Sequence, residues 1–190
     1  IVTPGNHDAT RKTLPQPAIS KKFADAIYKC PNLLSLGNPA QIKLHGVNLL
    51  IHHGRSLEDP LAVLPNINHH NVTVAMAHLL KSRHIAPMYG SKTQLAPEPK
   101  DWMVVESVPD IYHSGHIHVF GYSVYREVKL VNSGSWQVQT PYQLKMGITP
   151  TYASIPILDL HLNRLGLMDF KENVFSSQAP LILGRSNGLF

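Results

Sequence analysis

The sequence predicts a mixed α/β protein of layered sheets and helices, with its chemistry at strand ends. Three observations carry this. Val47–Ile51 is a nearly continuous apolar run, the pattern of a central strand covered on both faces. Short β-rich segments recur along the chain with helical segments between them, which favours sheets packed against helices. Three histidine-bearing stretches, Gly5-Asn6-His7-Asp8, His52-His53-Gly54 and Gly115-His116-Ile117-His118, each follow an apolar or β-rich segment. Loops at strand ends are where sheet-and-helix enzymes place their sites.

Taken in order, residues 1–4 read as the last part of a strand that begins outside the chain, since a strand ordinarily needs about five or six residues. The chain also starts without Met, so an N-terminally truncated domain is expected. Residues 10–16 are a loop restricted by Pro15-Gln16-Pro17. Ser20 is placed to cap a short helix through Phe23, Ala24, Ala26, Ile27 and Tyr28, ended by Pro31. Residues 32–36 and 41–44 are strand candidates, and His45-Gly46 is a turn. Residues 56–64 form a helix with Ser56 as cap and Glu58-Asp59 in its first turn. Residues 73–83 are the clearest helix, with a mixed face of Val74, Ala77, His78, Leu80 and Lys81. Residues 87–99 are ordered but irregular. Residues 102–106 and 110–114 are strands, the second leading into the His116 loop. Residues 120–125 and 129–131 pair across Arg126-Glu127, and 155–160 pair with 164–170. Residues 1–170 are thus expected as one domain, with 171–190 as a tail without periodic signal. Trp102 and Trp136 are expected in the core.

A chain of 190 residues can bury a real core, and 43% hydrophobic with 15% charged residues excludes the disordered class. Lys and Arg outnumber Asp and Glu by 17 to 12, a net charge of +5 that suits an anionic partner such as nucleic acid. The single Cys30 excludes an internal disulfide framework and a Cys-rich zinc site, and makes a reducing, cytoplasmic compartment the default. No apolar run approaches the roughly 20 residues of a membrane span, so no membrane partner is expected.

The chemistry rests on the histidines. On an extended segment, residues two apart face the same way, so His116 and His118 can project into one pocket. An isolated His-x-His fits an exposed strand face equally well. His53 precedes Gly54, which lets the backbone turn sharply and an ion approach, whereas His52 should point to the opposite face. Asn6 is an oxygen donor, His7 a ligand or a general acid, and Asp8 a partner able to set the tautomer of His7. Such mixed nitrogen and oxygen ligation suits manganese, iron or zinc rather than calcium.

In this order, Gly5-Asn6-His7-Asp8, His53-Gly54 and Gly115-His116-Ile117-His118 resemble the calcineurin-like metallophosphoesterase superfamily. Pro15-Gln16-Pro17, His53-Gly54-Arg55-Ser56, Arg83-His84-Ile85-Ala86-Pro87, Ala96-Pro97-Glu98-Pro99 and Val131-Asn132-Ser133-Gly134-Ser135-Trp136-Gln137 narrow the resemblance to the small subunits of archaeal family D DNA polymerases. The resemblance implies a layered β-sandwich flanked by helices. It also implies a two-metal phosphodiesterase, a 3′→5′ proofreading exonuclease acting on single-stranded 3′ ends of DNA beside a large catalytic polymerase subunit. It implies two divalent metal ions, with Mn2+ favoured over Fe, Zn or Mg. Asn6, His53 and His116 would hold one ion and His118 would join the other. His7 would be the general acid and Asp8 its orienting partner. Arg11, Arg55 and Lys92 are candidates for gripping the nucleic acid. The family's upstream Asp-x-His and Gly-Asp motifs are not in this chain, so the isolated chain is expected to hold at most one ion weakly and to be inactive. His52 stands where the resemblance leads one to expect an aromatic or aliphatic residue. A catalytically silent scaffold subunit and a general metallophosphodiesterase are the alternatives.

Overall fold

The apolar run Val47–Ile51 is strand β2, inside a five-stranded sheet ordered β1-β2-β3-β5-β4. The computed structural model describes residues 1–178 of the chain. β1 is Ala40–Leu44, β3 Ile111–Ser114, β4 Phe120–Tyr125 and β5 Val128–Ser133. β2, β3 and β5 run parallel, while β1 and β4 pair antiparallel with β2 and β5 at the two edges. Each edge strand is joined to its neighbour by two residues, His45-Gly46 or Arg126-Glu127. All four residues have positive φ (47° and 87°, 45° and 72°), the backbone twist that suits a two-residue hairpin.

Alternation along each strand divides the core in two. Leu50, Tyr112 and Leu130 enter one cluster, and Leu49, Ile111 and Val131 enter the other. Against the first face packs a helix, Val72–Lys81, through Val72, Ala75, Met76, Leu79 and Leu80. Against the second packs a three-stranded antiparallel sheet of Ser154–Asp159, Arg164–Asp169 and Val174–Gln178, which contributes Leu158 and Leu165. These strands are β6, β7 and β8. The layered sandwich with a flanking helix that the sequence predicts is the architecture observed.

Several elements differ from expectation. Residues 32–36 and 102–106 form no strands; they make single bridges, Ser35 with Val2 and Val104 with His84. Pro4, two residues past Val2, lacks an N–H to extend the first ladder. Arg83, beside His84, has φ of 56° and turns the chain away from the second. The first helix, α1, spans only Asp25–Lys29 and buries no residue, and Ser20 lies in the turn before it. Ser56 is no cap: it sits in a 3-10 turn, Arg55–Leu57, and its hydroxyl donates to the Ile85 carbonyl. Helix α2 follows as Glu58–Val63, and Val72–Lys81 is α3, whose core face excludes the expected Val74, His78 and Lys81. A short helix at Pro141–Lys145, α4, carries no hydrophobic periodicity but opens on a capping box of Thr140 and Gln143. β8 falls in the segment expected as tail, where pairing with β7 rather than its own pattern makes it a strand. Residues 179–190 of that expected tail lie outside the described residues. Trp102 and Trp136 are 53% and 65% exposed rather than core.

Leu130 is fully buried in the middle of β5 between α3 and the sheet. Leu130→Ala is expected to cost about 2–5 kcal/mol of stability, read from the midpoint of urea unfolding. A loss below about 1 kcal/mol would show that the core closes around the missing side chain.

Candidate metal centre

Parallel strands deliver their C-terminal ends to one edge of the sheet, and the site is assembled there. β2 runs into His52 and His53, and alternation sends them apart. His52 shares the face of Leu50 and is fully buried, its Nδ1 3.3 Å from the Tyr112 hydroxyl and its Nε2 without a partner. Burial, with the nearby charges of His53 and His116, pushes its pKa down to about 3. His53 faces the open edge. Gly54 then takes φ of 107°, and a Cβ there would stand 3.2 Å from Ser114 Cβ and 3.3 Å from His116 Cβ. Only glycine makes that turn at that distance from the neighbouring loop.

β3 ends at Ser114, and the amides of Gly115 and His116 both donate to the His53 carbonyl, at 3.0 and 2.7 Å. The last residue but one of β5 is Asn132, fully buried. Its amide donates to the carbonyls of Ile117 and Val119 and accepts the Ser114 hydroxyl. Asn132 thus pins the loop that carries His116 and His118. Asn38 supports the other side, accepting the His53 amide at 2.9 Å.

The N-terminal loop closes the site. The Asp8 carboxylate accepts the Gly5 amide at 2.7 Å and holds a tight turn that displays Asn6 and His7. The resemblance gives Asp8 to His7 as its orienting partner; the bond it makes in the structure is this one, to Gly5. The ring of His53 lies against Gly5, where a Cβ would come within 2.7 Å of His53 Cε1.

Three donor atoms converge here. Asn6 Oδ1 lies 2.8 Å from His53 Nε2, and His53 Nε2 lies 3.2 Å from His116 Nδ1. Neighbouring ligands of an ion bound at about 2.1 Å stand about 3.0–3.4 Å apart; the His53–His116 separation falls in that range, while Asn6 lies at hydrogen-bond length from His53 and would draw back slightly for the three to share one divalent ion. Among the described residues no trio of His, Cys, Asp or Glu alone gathers in this way; the amide of Asn6 completes this set. Burial lowers the pKa of His53 to about 4, with Asp8 opposing the shift and His7, His118 and Arg55 adding to it. Burial likewise takes His116 to about 4, helped by His53 and opposed by Glu58. Both rings are therefore neutral near neutral pH. Because Asn6 Oδ1 can only accept, neutral His53 carries its proton on Nε2, and ligation through that atom requires the other tautomer.

His7 is exposed at the rim, and its charge reaches both His53 and His118. His118 stands apart from the trio. Its Nδ1 is 2.9 Å from Gln143 Nε2. Gln143 Oε1 is occupied by the Thr140 amide at 2.9 Å, which fixes the amide's orientation and makes Gln143 the donor. Neutral His118 then carries its proton on Nε2, so ligation through that atom requires the other tautomer. Of the candidate phosphate-binding cations, Arg55 is near enough for its charge to lower both His53 and His116. Lys92 sits 3.7 Å from Glu58 at the margin. Arg11 is held elsewhere, paired with Glu98 and donating to the Pro15 carbonyl at 2.7 Å.

The sequence model of the B subunits of DNA polymerases alpha and epsilon matches residues 1–120. The chain belongs to this polymerase family. This polymerase-family chain is 48% identical over 160 residues to the DNA polymerase II small subunit of Pyrococcus furiosus, covering 84% of this chain and 26% of that protein. It is 40% identical over 165 residues to the DNA polymerase II small subunit of Methanothermobacter thermautotrophicus, covering 87% and 34%. The chain thus spans about a quarter to a third of the length of the curated relatives it matches. Among solved structures, Vps29 from Entamoeba histolytica complexed with zinc aligns with a TM-score of 0.41 and 13% identity, covering 89% of this chain and 77% of that one.

Sequence reasoning missed Glu58, Gln143 and Asn38 in this polymerase-family chain. Glu58 lies just past the His53-Gly54-Arg55-Ser56 block, after Leu57, but its acidity in a first helical turn has a sufficient local explanation. The Thr-x-x-Gln spacing of Thr140 and Gln143 was the readable signal for α4.

The lowered histidines make stability depend on pH. Between about 6.5 and about 4 the unfolded chain binds protons that folded His53 and His116 refuse. Their contribution is complete above about 6.5 and is lost as pH falls toward 4. The urea midpoint is expected to drop from about pH 7.5 to about pH 5, and His52→Leu to flatten that drop by removing the most buried ring. A midpoint constant across that range would show the rings to be solvated.

Proposed function

We propose that this chain is the metal-holding part of a 3′→5′ exonuclease, the proofreading small subunit of a replicative DNA polymerase that works beside a large polymerising subunit. The observation that carries the proposal is the convergence of Asn6 Oδ1, His53 Nε2 and His116 Nδ1 at the edge where the three parallel strands end. Membership of the polymerase family, and relatives named as DNA polymerase II small subunits, support the assignment to replication. The calcineurin-like metallophosphoesterase reading rests on the order of the three histidine motifs around this edge.

Divalent ions, manganese foremost, would supply an activated water there and neutralise charge on the phosphodiester. Asn6, His53 and His116 would hold one ion, and His118 would join the other. Arg55, two residues past His53, would draw the anionic backbone in. His7 stands at the exposed rim and gives its proton to the departing oxygen, since an imidazole can be charged and still acidic near neutral pH.

The test is degradation of a 5′-labelled single-stranded oligonucleotide by the full-length protein with manganese(II). The wild type should produce a ladder shortened from the 3′ end. His7→Ala should slow this by roughly 10²–10⁴-fold while leaving manganese affinity within about twofold. Full activity in His7→Ala would remove it from the mechanism, and a wild type without 3′ shortening would remove the nuclease reading.

A further inference from the structure

We propose that Glu58 is a positioning residue for His116, the carboxylate that fixes which nitrogen of that ring faces the metal centre. The inference rests on the reading of Asn6, His53 and His116 as an ion site and assigns a role to a residue outside that trio.

The ring of His116 is bracketed. On one edge, Nδ1 lies 3.2 Å from His53 Nε2 and faces the converging donors. On the other edge, Nε2 lies 3.8 Å from Glu58 Oε1, the separation of an ion pair or a water-bridged contact. A ligating imidazole needs its far N–H satisfied by a carboxylate, carbonyl or water, which sets the tautomer and makes the ligating nitrogen more basic. Glu58 is the carboxylate at that far edge.

The fold places it there by a short route. β2 delivers His53, Gly54 turns left-handed, and the 3-10 turn Arg55–Leu57 carries the chain into α2, whose first residue is Glu58. One strand-turn-helix unit thus supplies both brackets of His116. Glu58 is also steadied from outside. Lys92 Nζ lies 3.7 Å from Oε2, and His69 Nε2 lies 3.9 Å from Oε1. His69 comes from a 3-10 turn, His69–Asn71, closed by a capping box of Asn68 and Asn71. These two neighbours hold the carboxyl from outside the trio. Its helix-terminal position explains an acidic residue at 58 but not its pairing with a histidine from another loop.

Manganese(II) binding to the full-length protein, followed by the EPR signal of the free ion, tests this. Glu58→Ala should weaken binding about 10–100-fold. Glu58→Gln keeps an acceptor for the Nε2–H and should lose clearly less than Glu58→Ala. A urea midpoint for each variant separates lost affinity from lost fold, and the near-isosteric Glu58→Gln carries the comparison if Glu58→Ala is unstable. Affinity in Glu58→Ala within about twofold of wild type, or equal losses in both variants, would overturn the role of Glu58. His53→Ala distinguishes the two levels: manganese binding that survives it would overturn the ion site itself, and the role of Glu58 with it.

Discussion

β2, β3 and β5 run parallel, and the candidate site depends on that direction more than on any single side chain. Antiparallel neighbours would send their C-terminal ends to opposite edges of the sheet. Parallel ones bring Gly54, Gly115 and Gly134 to the same edge, and His53, His116 and Asn132 with them. The parallel arrangement in turn requires cover on both faces, because the connections between such strands must cross over the sheet. α3 lies on one face, and the β6–β8 sheet covers the other. The two-cluster core is thus the condition for the site.

What was legible in the sequence was local. β2 is an apolar run bounded by a turn and a glycine, and both hairpin turns are marked by residues between β-rich segments. The histidines of the site follow such segments directly, and period-two alternation alone separates His53 from His52. What was not legible depends on partners distant in the chain. Residues 32–36 have strand-like composition but meet only Val2, and residues 174–178 lack it but meet β7. Trp136 packs its ring on Phe170, with centroids 5.5 Å apart, instead of entering either cluster. Glu58 is instructive in the same way: its sequence neighbours explain it as a helix start, and only the fold sets it 3.8 Å from His116.

Conformational strain and polar burial concentrate around the same edge. Gly54 takes a left-handed conformation beside His53 and Gly134 does so past Asn132, positions where a side chain would be strained. His52 is buried with a nitrogen that has no partner among the described residues, which disfavours the folded chain in isolation. They persist because Leu50, Tyr112 and Leu130 below them are well packed and leave those residues no alternative position.

One feature of the His116 loop reaches beyond its geometry. Gly115 and His116 both donate their amides to the carbonyl of His53, so peptide groups set the distance between the two imidazole-bearing loops. In zinc fingers the ion is the organising centre and the polypeptide collapses around it. On the reading proposed above the order would be reversed: the fold builds the cradle, and an arriving cation would find its donors already close together. Chelation should therefore empty such a centre without melting the domain, and exchange of one cation for another becomes a matter of coordination chemistry rather than of refolding.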